Sequence, residues 1–483
     1  MTQWLYEDVA GQIAQQIEDG VYSPGDRLPG IRKLSQQFGV SLATAVEACQ
    51  LLEDRGMIRA RPRSGFYVQE LEAEPAEWRK PESTEDGPTL VTGQARVLEL
   101  IRHHGNPAIL PLGTAVPDPA LLPLTALDRC FGHVRRTHKN RIASYDFPPG
   151  HESLRVQIAR RMADAGCHIS PDDVVITGGC QESLSLSLRA VASPGDVIAI
   201  ESPTFYGILQ AIESQGMRAL ELPTEPGGGI HPDTLETAIS RWPIQACVAM
   251  PNYGNPLGHL ASNERKEATV KLLADKNIPL IEDDVYGELG FSGERPWAAK
   301  AWDTEGGVLY CSSFSKTLGS GMRIGWAVPG RFREQLTYLK YATNQAAPTL
   351  QTLALARFLD QGGYDRYLRR IRRVYQRQVN RVARAIQDHF PRGTRVSRPR
   401  GGFVLWVELP EPANTLRLQQ QALEEGISIA PGPLFSSTER FHRHLRVNCG
   451  VADMEHVDAA IASLGRLTRK SVAHSVAQSV TPC

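Results

Sequence analysis

The residues best equipped for chemistry lie in Ser312-Ser313-Phe314-Ser315-Lys316, after the apolar run Val308-Leu309-Tyr310-Cys311 and ahead of Arg323. A lysine at the end of a buried strand, flanked by hydroxyls, can form an imine with an aldehyde. Ser313, Ser315 and Arg323 beside it can hold a phosphate. A lysine by itself is usually a solvated surface charge, so the weight falls on its company.

That company is extensive. Thr177-Gly178-Gly179-Cys180-Gln181 follows Val174-Val175-Ile176 and opens a helix, and small residues there let backbone N–H groups approach a phosphate. Leu280-Ile281-Glu282-Asp283-Asp284 puts acids at the C-terminal end of a strand, where an Asp can pair with a protonated ring nitrogen. Tyr286 can donate to a ring hydroxyl, and Asn255, within Pro251–Gly258, can reach the same group from another strand end. Phe205 has a face to stack on a ring. Arg446, in Leu445-Arg446-Val447-Asn448, suits bidentate capture of a carboxylate. Each has a plainer reading alone: a turn, a solvated acidic loop, a core aromatic, a salt-bridge arginine.

From about residue 95 to 468, β-branched runs alternate with helical stretches, the pattern of an α/β domain with a mostly parallel central sheet. A different texture precedes it. Val9, Ile13 and Ile17 form one helix face. Ile31, Leu34 and Phe38 form a second, and Ser41 caps a third helix that buries Ala45, Ala48 and Leu52. Ile58-Arg59-Ala60-Arg61 and Phe66-Tyr67-Val68, joined through Pro62-Arg63-Ser64-Gly65, read as a hairpin wing. Residues 70–92 read as a flexible linker, being rich in Glu and Pro and poor in aliphatics. The division is therefore 1–69 head, 70–92 linker, 93–468 body and 469–483 a disordered tail.

The body segments, in this order, resemble the fold-type I, class I/II aminotransferases, a mostly parallel sheet with a smaller C-terminal α+β subdomain. The resemblance implies pyridoxal 5′-phosphate (PLP) held as a Schiff base on Lys316, with Asp283 on the pyridine nitrogen. It places Asn255 and Tyr286 on the phenolic oxygen and Phe205 on the ring face. Gly179, Cys180, Gln181, Ser313, Ser315 and Arg323 would surround the phosphate. Arg446 would take the carboxylate of an amino-acid effector or substrate. Tyr145, in Tyr145-Asp146-Phe147-Pro148-Pro149-Gly150, resembles the tyrosine lent to a neighbouring subunit's phosphate site, which implies a homodimer. Leu257 departs from the common Thr of the Pro251–Gly258 motif, with consequences for packing alone.

Gly20-Val21-Tyr22-Ser23-Pro24-Gly25-Asp26-Arg27-Leu28-Pro29, Gly39-Val40-Ser41-Leu42-Ala43-Thr44 and the wing resemble the winged helix-turn-helix head of the GntR family. That implies duplex DNA as partner, with contacts from Arg32, Ser41, Thr44, Arg63 and Gly65. Arg32 and Arg63 suit phosphates or base edges, and Ser41 and Thr44 suit a helix N-terminus against the backbone. Leu42 stands where that family usually carries Arg. Head, linker and body together resemble the MocR subfamily of bacterial regulators. What this implies is transcriptional control tuned by PLP, an amino acid or amine, or the aldimine they form. The alternative is a working aminotransferase with an accessory or vestigial head.

Composition narrows the rest. Lys+Arg and Asp+Glu are both 53, so nucleic-acid binding must come from a local patch. The head does not supply it in bulk, since residues 1–69 hold seven basic and eight acidic side chains. Eight scattered cysteines with no C-x-x-C pair fit reduced thiols in a cytoplasmic protein. His103-His104 and His442-x-His444 lack companions at metal spacing, so no metal site is expected. No run is long and apolar enough to imply a membrane partner.

Overall fold

The computed structural model describes residues 5–18, 21–23, 25–54, 57–61, 64–68, 87–103, 105–225 and 228–479, with side chains described as far as Ser471. The chain divides into two compact units, Met1–Trp78 and Arg79–Cys483.

In the first unit, helix Leu5–Glu18 turns Val9, Ile13 and Ile17 onto helix Leu42–Asp54, where Ala45, Ala48 and Leu52 are fully buried. The small alanines allow the two helices to pack closely. Between them lies helix Ile31–Gln37, which buries Leu34. Gly39 then reverses the chain at φ +62°, a conformation that favours glycine. Ser41 caps the third helix, its Oγ accepting from the Thr44 amide at 3.1 Å. Strands Ile58–Arg61 and Gly65–Val68 pair antiparallel with Ile58 opposite Val68. Ile58 and Val68 are buried at the end of the hairpin nearest the helices' core, and Arg59 and Arg61 are exposed. Arg63 lies outside the described residues.

The second unit is built on a large mixed sheet. Its order is Thr89–Leu90, Arg218–Glu225, Val197–Ser202, Ile244–Ala249, Leu280–Asp283, Val308–Ser313, Gly325–Val328 and Val175–Thr177, with Gly229–Ile230 appended to Arg218–Glu225. The four pairings from Arg218–Glu225 to Val308–Ser313 are all parallel, whereas Gly325–Val328 runs antiparallel to both neighbours. Val197–Ser202 and Val308–Ser313 are buried at every position, as expected of strands covered on both faces. A smaller antiparallel sheet of Arg395–Val396, Val404–Glu408, His444–Asn448 and Ala430–Pro431 has its own core with helices Gly363–His389 and Met454–Ser479.

Two boundaries differ from the sequence reading. Residues 87–92 belong to the body: Thr89–Leu90 pairs with Ala219 and Arg218, and Val91 is buried. Backbone pairing of Thr89–Leu90 and burial of the Val91 side chain dock this segment at the end of a Glu- and Pro-rich stretch. The rest of the linker, 70–86, lies outside the described residues. At the other end, helix Met454–Ser479 runs well into the stretch expected to be a disordered tail. After Gly465 no glycine or proline occurs before Pro482, so nothing local stops a helix anchored by its buried first half. No described helix is long and apolar enough to cross a membrane.

Candidate functional site

Parallel strands deliver their C-terminal ends to one edge of the sheet, and the residues singled out above lie there. Asp283 ends strand Leu280–Asp283, Ser313 ends Val308–Ser313, and Phe205 follows Val197–Ser202. Asn255 follows Ile244–Ala249, and Gly179 follows Val175–Thr177 and caps helix Cys180–Val191.

Lys316 sits half-buried in the turn Phe314–Lys316. Its Nζ donates to the Ala115 carbonyl at 2.6 Å and lies 5.8 Å from the centre of the Tyr286 ring. Burial, then the Arg446 guanidinium, bring its pKa down to about 8, against the opposing pull of Asp283. The amine is thus far easier to deprotonate than an ordinary lysine.

Asp283 is buried, and burial lifts its pKa to about 6 despite two hydrogen bonds that favour the carboxylate. Both end on Oδ1: the Cys180 thiol and the Val285 amide donate to it, each at 3.3 Å. Burial and the adjacent Asp283 push the Cys180 thiol well above its usual pKa, so it stays protonated and able to donate. The sequence reading put Cys180 at the phosphate. The structure turns its side chain to Asp283, leaving only the backbone to face an anion at the helix N-terminus.

Tyr286 is buried edge-on to Phe403, its hydroxyl without a hydrogen-bond partner among the described residues. Burial raises its pKa above the ordinary tyrosine range, so it is a donor at neutral pH. Arg446 is fully buried on strand His444–Asn448. Nη2 donates to the Gly113 carbonyl at 2.6 Å and Nη1 to Asn255 Oδ1 at 3.1 Å, while Nε has no partner. The guanidinium lies 5.4 Å from the Tyr206 ring centre and 5.1 Å from that of Phe435. No carboxylate among the described residues pairs with it.

At the glycine turn, Gly179 has φ +121°, and a Cβ there would stand 2.8 Å from Nη2 of Arg323. Arg323 therefore packs on the bare backbone that opens the helix. Ser313 Oγ accepts from the Ser315 amide at 3.3 Å. The Gln181 side chain turns away to the Gly207 carbonyl at 2.6 Å. Phe205 is half-buried against Tyr206. Tyr145 is 64% exposed, on a groove it shares with Arg323.

The structure thus gathers Lys316, Asp283, Tyr286, Asn255 and Arg446, with Gly179 and Arg323 adjoining. Sequence reasoning missed three participants. Ala115 acts through its carbonyl, which carries no side-chain signal. Tyr206 and Phe435 are ordinary aromatics until folding places them on Arg446. In the head, Arg32 and Ser41 are exposed, Thr44 is half-buried at the same helix N-terminus, and Gly65 has φ +110° against the Arg27 side chain.

The aminotransferase class I and II family matches residues 126–464, and the gntR family of bacterial regulatory proteins matches residues 5–68. The HTH-type transcriptional regulator YjiR of Escherichia coli K12 is 38% identical over 97% of this chain and 99% of its own. YdcR of the same organism is 39% identical over 96% and 99%. Among solved structures, LysN, the alpha-aminoadipate aminotransferase of Thermus thermophilus complexed with N-(5′-phosphopyridoxyl)-L-leucine, has a TM-score of 0.73. It is 27% identical and covers 80% of this chain and 96% of its own.

Proposed function

Because the chain belongs to the MocR-type regulators, in which a gntR-family DNA-binding head is joined to an aminotransferase class I and II body, we propose that its body takes PLP on Lys316 and reads an amino acid through Arg446, and that the loaded state sets DNA binding. The observation that carries this is the set of unspent buried polar groups around Lys316. Among the described residues, the Tyr286 hydroxyl and Arg446 Nε have no partner, and no carboxylate compensates Arg446. Buried groups of this kind are normally satisfied, so they are the groups a ligand would meet.

The donor set fits the cofactor and an amino acid. PLP supplies an electrophilic carbon and an electron-withdrawing ring. Lys316 offers an amine with a lowered pKa to that carbon. Asp283 offers a carboxylate to a protonated ring nitrogen, and Tyr286 a hydroxyl to an anionic ring oxygen. The bare turn at Gly179, with Ser313, Ser315 and Arg323, suits a phosphate. Arg446 suits the effector carboxylate, with Tyr206 and Phe435 keeping water from it. The LysN ligand, a phosphopyridoxyl group joined to leucine, is what such a donor set would hold.

A second copy of the chain belongs to the same proposal. Tyr145, Phe147, Tyr338 and Tyr341 are each at least half exposed, with Tyr145–Phe147 and Phe147–Tyr341 ring centres 5.4 and 6.0 Å apart. Aromatic surface of this kind is typical of an interface. It supports a homodimer in which Tyr145 completes the neighbour's phosphate site. Cytoplasmic placement follows from the DNA-binding role.

The test is reduction of the PLP-loaded protein with borohydride and peptide mapping. The phosphopyridoxyl label is expected on Lys316, and Lys316→Ala is expected to remove any response of DNA binding to amino acids. A label elsewhere, or a response that survives Lys316→Ala, sinks the proposal. A second reading, steady-state transamination, is favoured by the joint presence of Lys316, Asp283 and Arg446. Repeated turnover of amino acid to oxo acid, without DNA binding, decides for it.

A further inference from the structure

Helix Gly363–His389 holds eight arginines and no acidic residue between Arg366 and Gln387. Its buried face is Tyr364, Leu368, Ile371, Tyr375, Val379 and Val382. The opposite face carries Arg366, Arg369, Arg370, Arg373 and Arg377, all exposed. Their three- and four-residue spacing puts them in one stripe, about 17 Å long at 1.5 Å per residue. Arg366, Arg369 and Arg373 make no hydrogen bond or ion pair among the described residues. Arg370 donates to a carbonyl, that of Leu121, at 2.8 Å. Other arginines of the helix are neutralised: Arg381 pairs with Asp458, and Arg372 lies 3.8 Å from the Glu288 carboxylate.

Stability does not explain the stripe. Like charges three and four residues apart on a helix repel, and nothing acidic interleaves them. Segregation of this kind in a chain of zero formal net charge is a local field suited to a polyanion. The polyanion already tied to this family is duplex DNA, with one phosphate charge per about 1.7 Å of axis. The head, with seven basic against eight acidic residues, lacks the charge excess for strong phosphate attraction.

We infer that the arginine face of Gly363–His389 is a second, sequence-independent DNA contact, in which Arg366, Arg369 and Arg373 meet backbone phosphates. The head chooses the site and this stripe adds affinity that salt screens. The inference rests on the reading of the chain as a DNA-binding regulator.

The test is fluorescence anisotropy of the full, PLP-loaded chain on duplex from upstream of its own gene and on a random duplex, across a KCl series. The variants are Arg366→Gln/Arg369→Gln/Arg373→Gln and the matching triple Lys variant, with Arg32→Ala alongside. Losing three phosphate contacts should reduce the salt slope by about 2.7. The fall in affinity between 50 and 200 mM salt would then be about 40-fold smaller. The Lys variant should keep the wild-type slope. An unchanged slope in the Gln variant overturns the inference. Should Arg32→Ala leave site preference intact while the Gln variant flattens the slope, the head reading fails and the stripe stands. Absence of binding to any duplex overturns both.

Discussion

The Cys180 thiol donates to Oδ1 of Asp283 at 3.3 Å, the same oxygen that accepts the Val285 amide. Asp283 is buried with a pKa lifted to about 6, so these two bonds keep it a carboxylate at neutral pH. Cys180→Ala should therefore raise the Asp283 pKa further. The sign is fixed: the carboxylate is lost as pH falls through its pKa, so PLP affinity should begin to drop at a higher pH in the variant. One lost hydrogen bond of roughly 1 kcal/mol is about fivefold in affinity. Cys180→Ser, which keeps a donor, should behave as wild type. The measurement is PLP titration by visible absorbance from pH 5 to 8, and identical profiles for Ala and wild type would remove Cys180 from this role.

Lys316 has a pKa of about 8 because burial and Arg446 disfavour its charge. The neutral amine is the reactive form, so the rate of PLP uptake by the stripped protein should rise with pH and level off above about 8. Stopped-flow absorbance reads this directly. A rate still climbing toward the ordinary lysine range would contradict the lowered value.

Arg446 is buried beside the packed rings of Tyr206 and Phe435, with no acidic partner among the described residues. Arg446→Lys should lower affinity for an amino-acid carboxylate by about 10- to 100-fold, because a point charge cannot reproduce bidentate capture. PLP binding should change little. Calorimetric titration with an amino acid and its decarboxylated amine separates the cases: the substitution should affect the acid and spare the amine.

Gly65 has φ +110°, and a Cβ there would stand 3.3 Å from Nε of Arg27. Gly65→Ala should cost the wing about 1–3 kcal/mol in backbone strain and displace Arg27. DNA binding should weaken while the absorbance of bound PLP stays unchanged, which thermal unfolding and anisotropy together would show. Unaltered DNA affinity would mean that the wing does not carry the contact.

Much of this protein is legible in one dimension because its signals are local. Val9, Ile13 and Ile17 declare a helix face by spacing alone. The head motifs and the run around Lys316 declare their families because a strand end, its turn and its reactive residue are neighbours in sequence. The same locality misled at the edges. Residues 87–92 follow directly on a Glu- and Pro-rich stretch but dock through strand pairing of Thr89–Leu90 and burial of Val91, and the C-terminal helix outlasts the pattern that announced it.

What the sequence determined alone was the order of elements and the chemical type of each strand-end residue. Backbone propensity and hydrophobic period act over a few residues, and those are the distances a sequence displays. Only the tertiary structure decided that Cys180 serves Asp283, that the Lys316 amine rests on the Ala115 carbonyl, and that Arg446 lies beside Tyr206 and Phe435 with Nε unspent among the described residues. It likewise decided which arginines of Gly363–His389 find acids and which face outward. These pairings join residues far apart in the chain, and they are set by how sheets and helices pack and by which polar groups that packing removes from water.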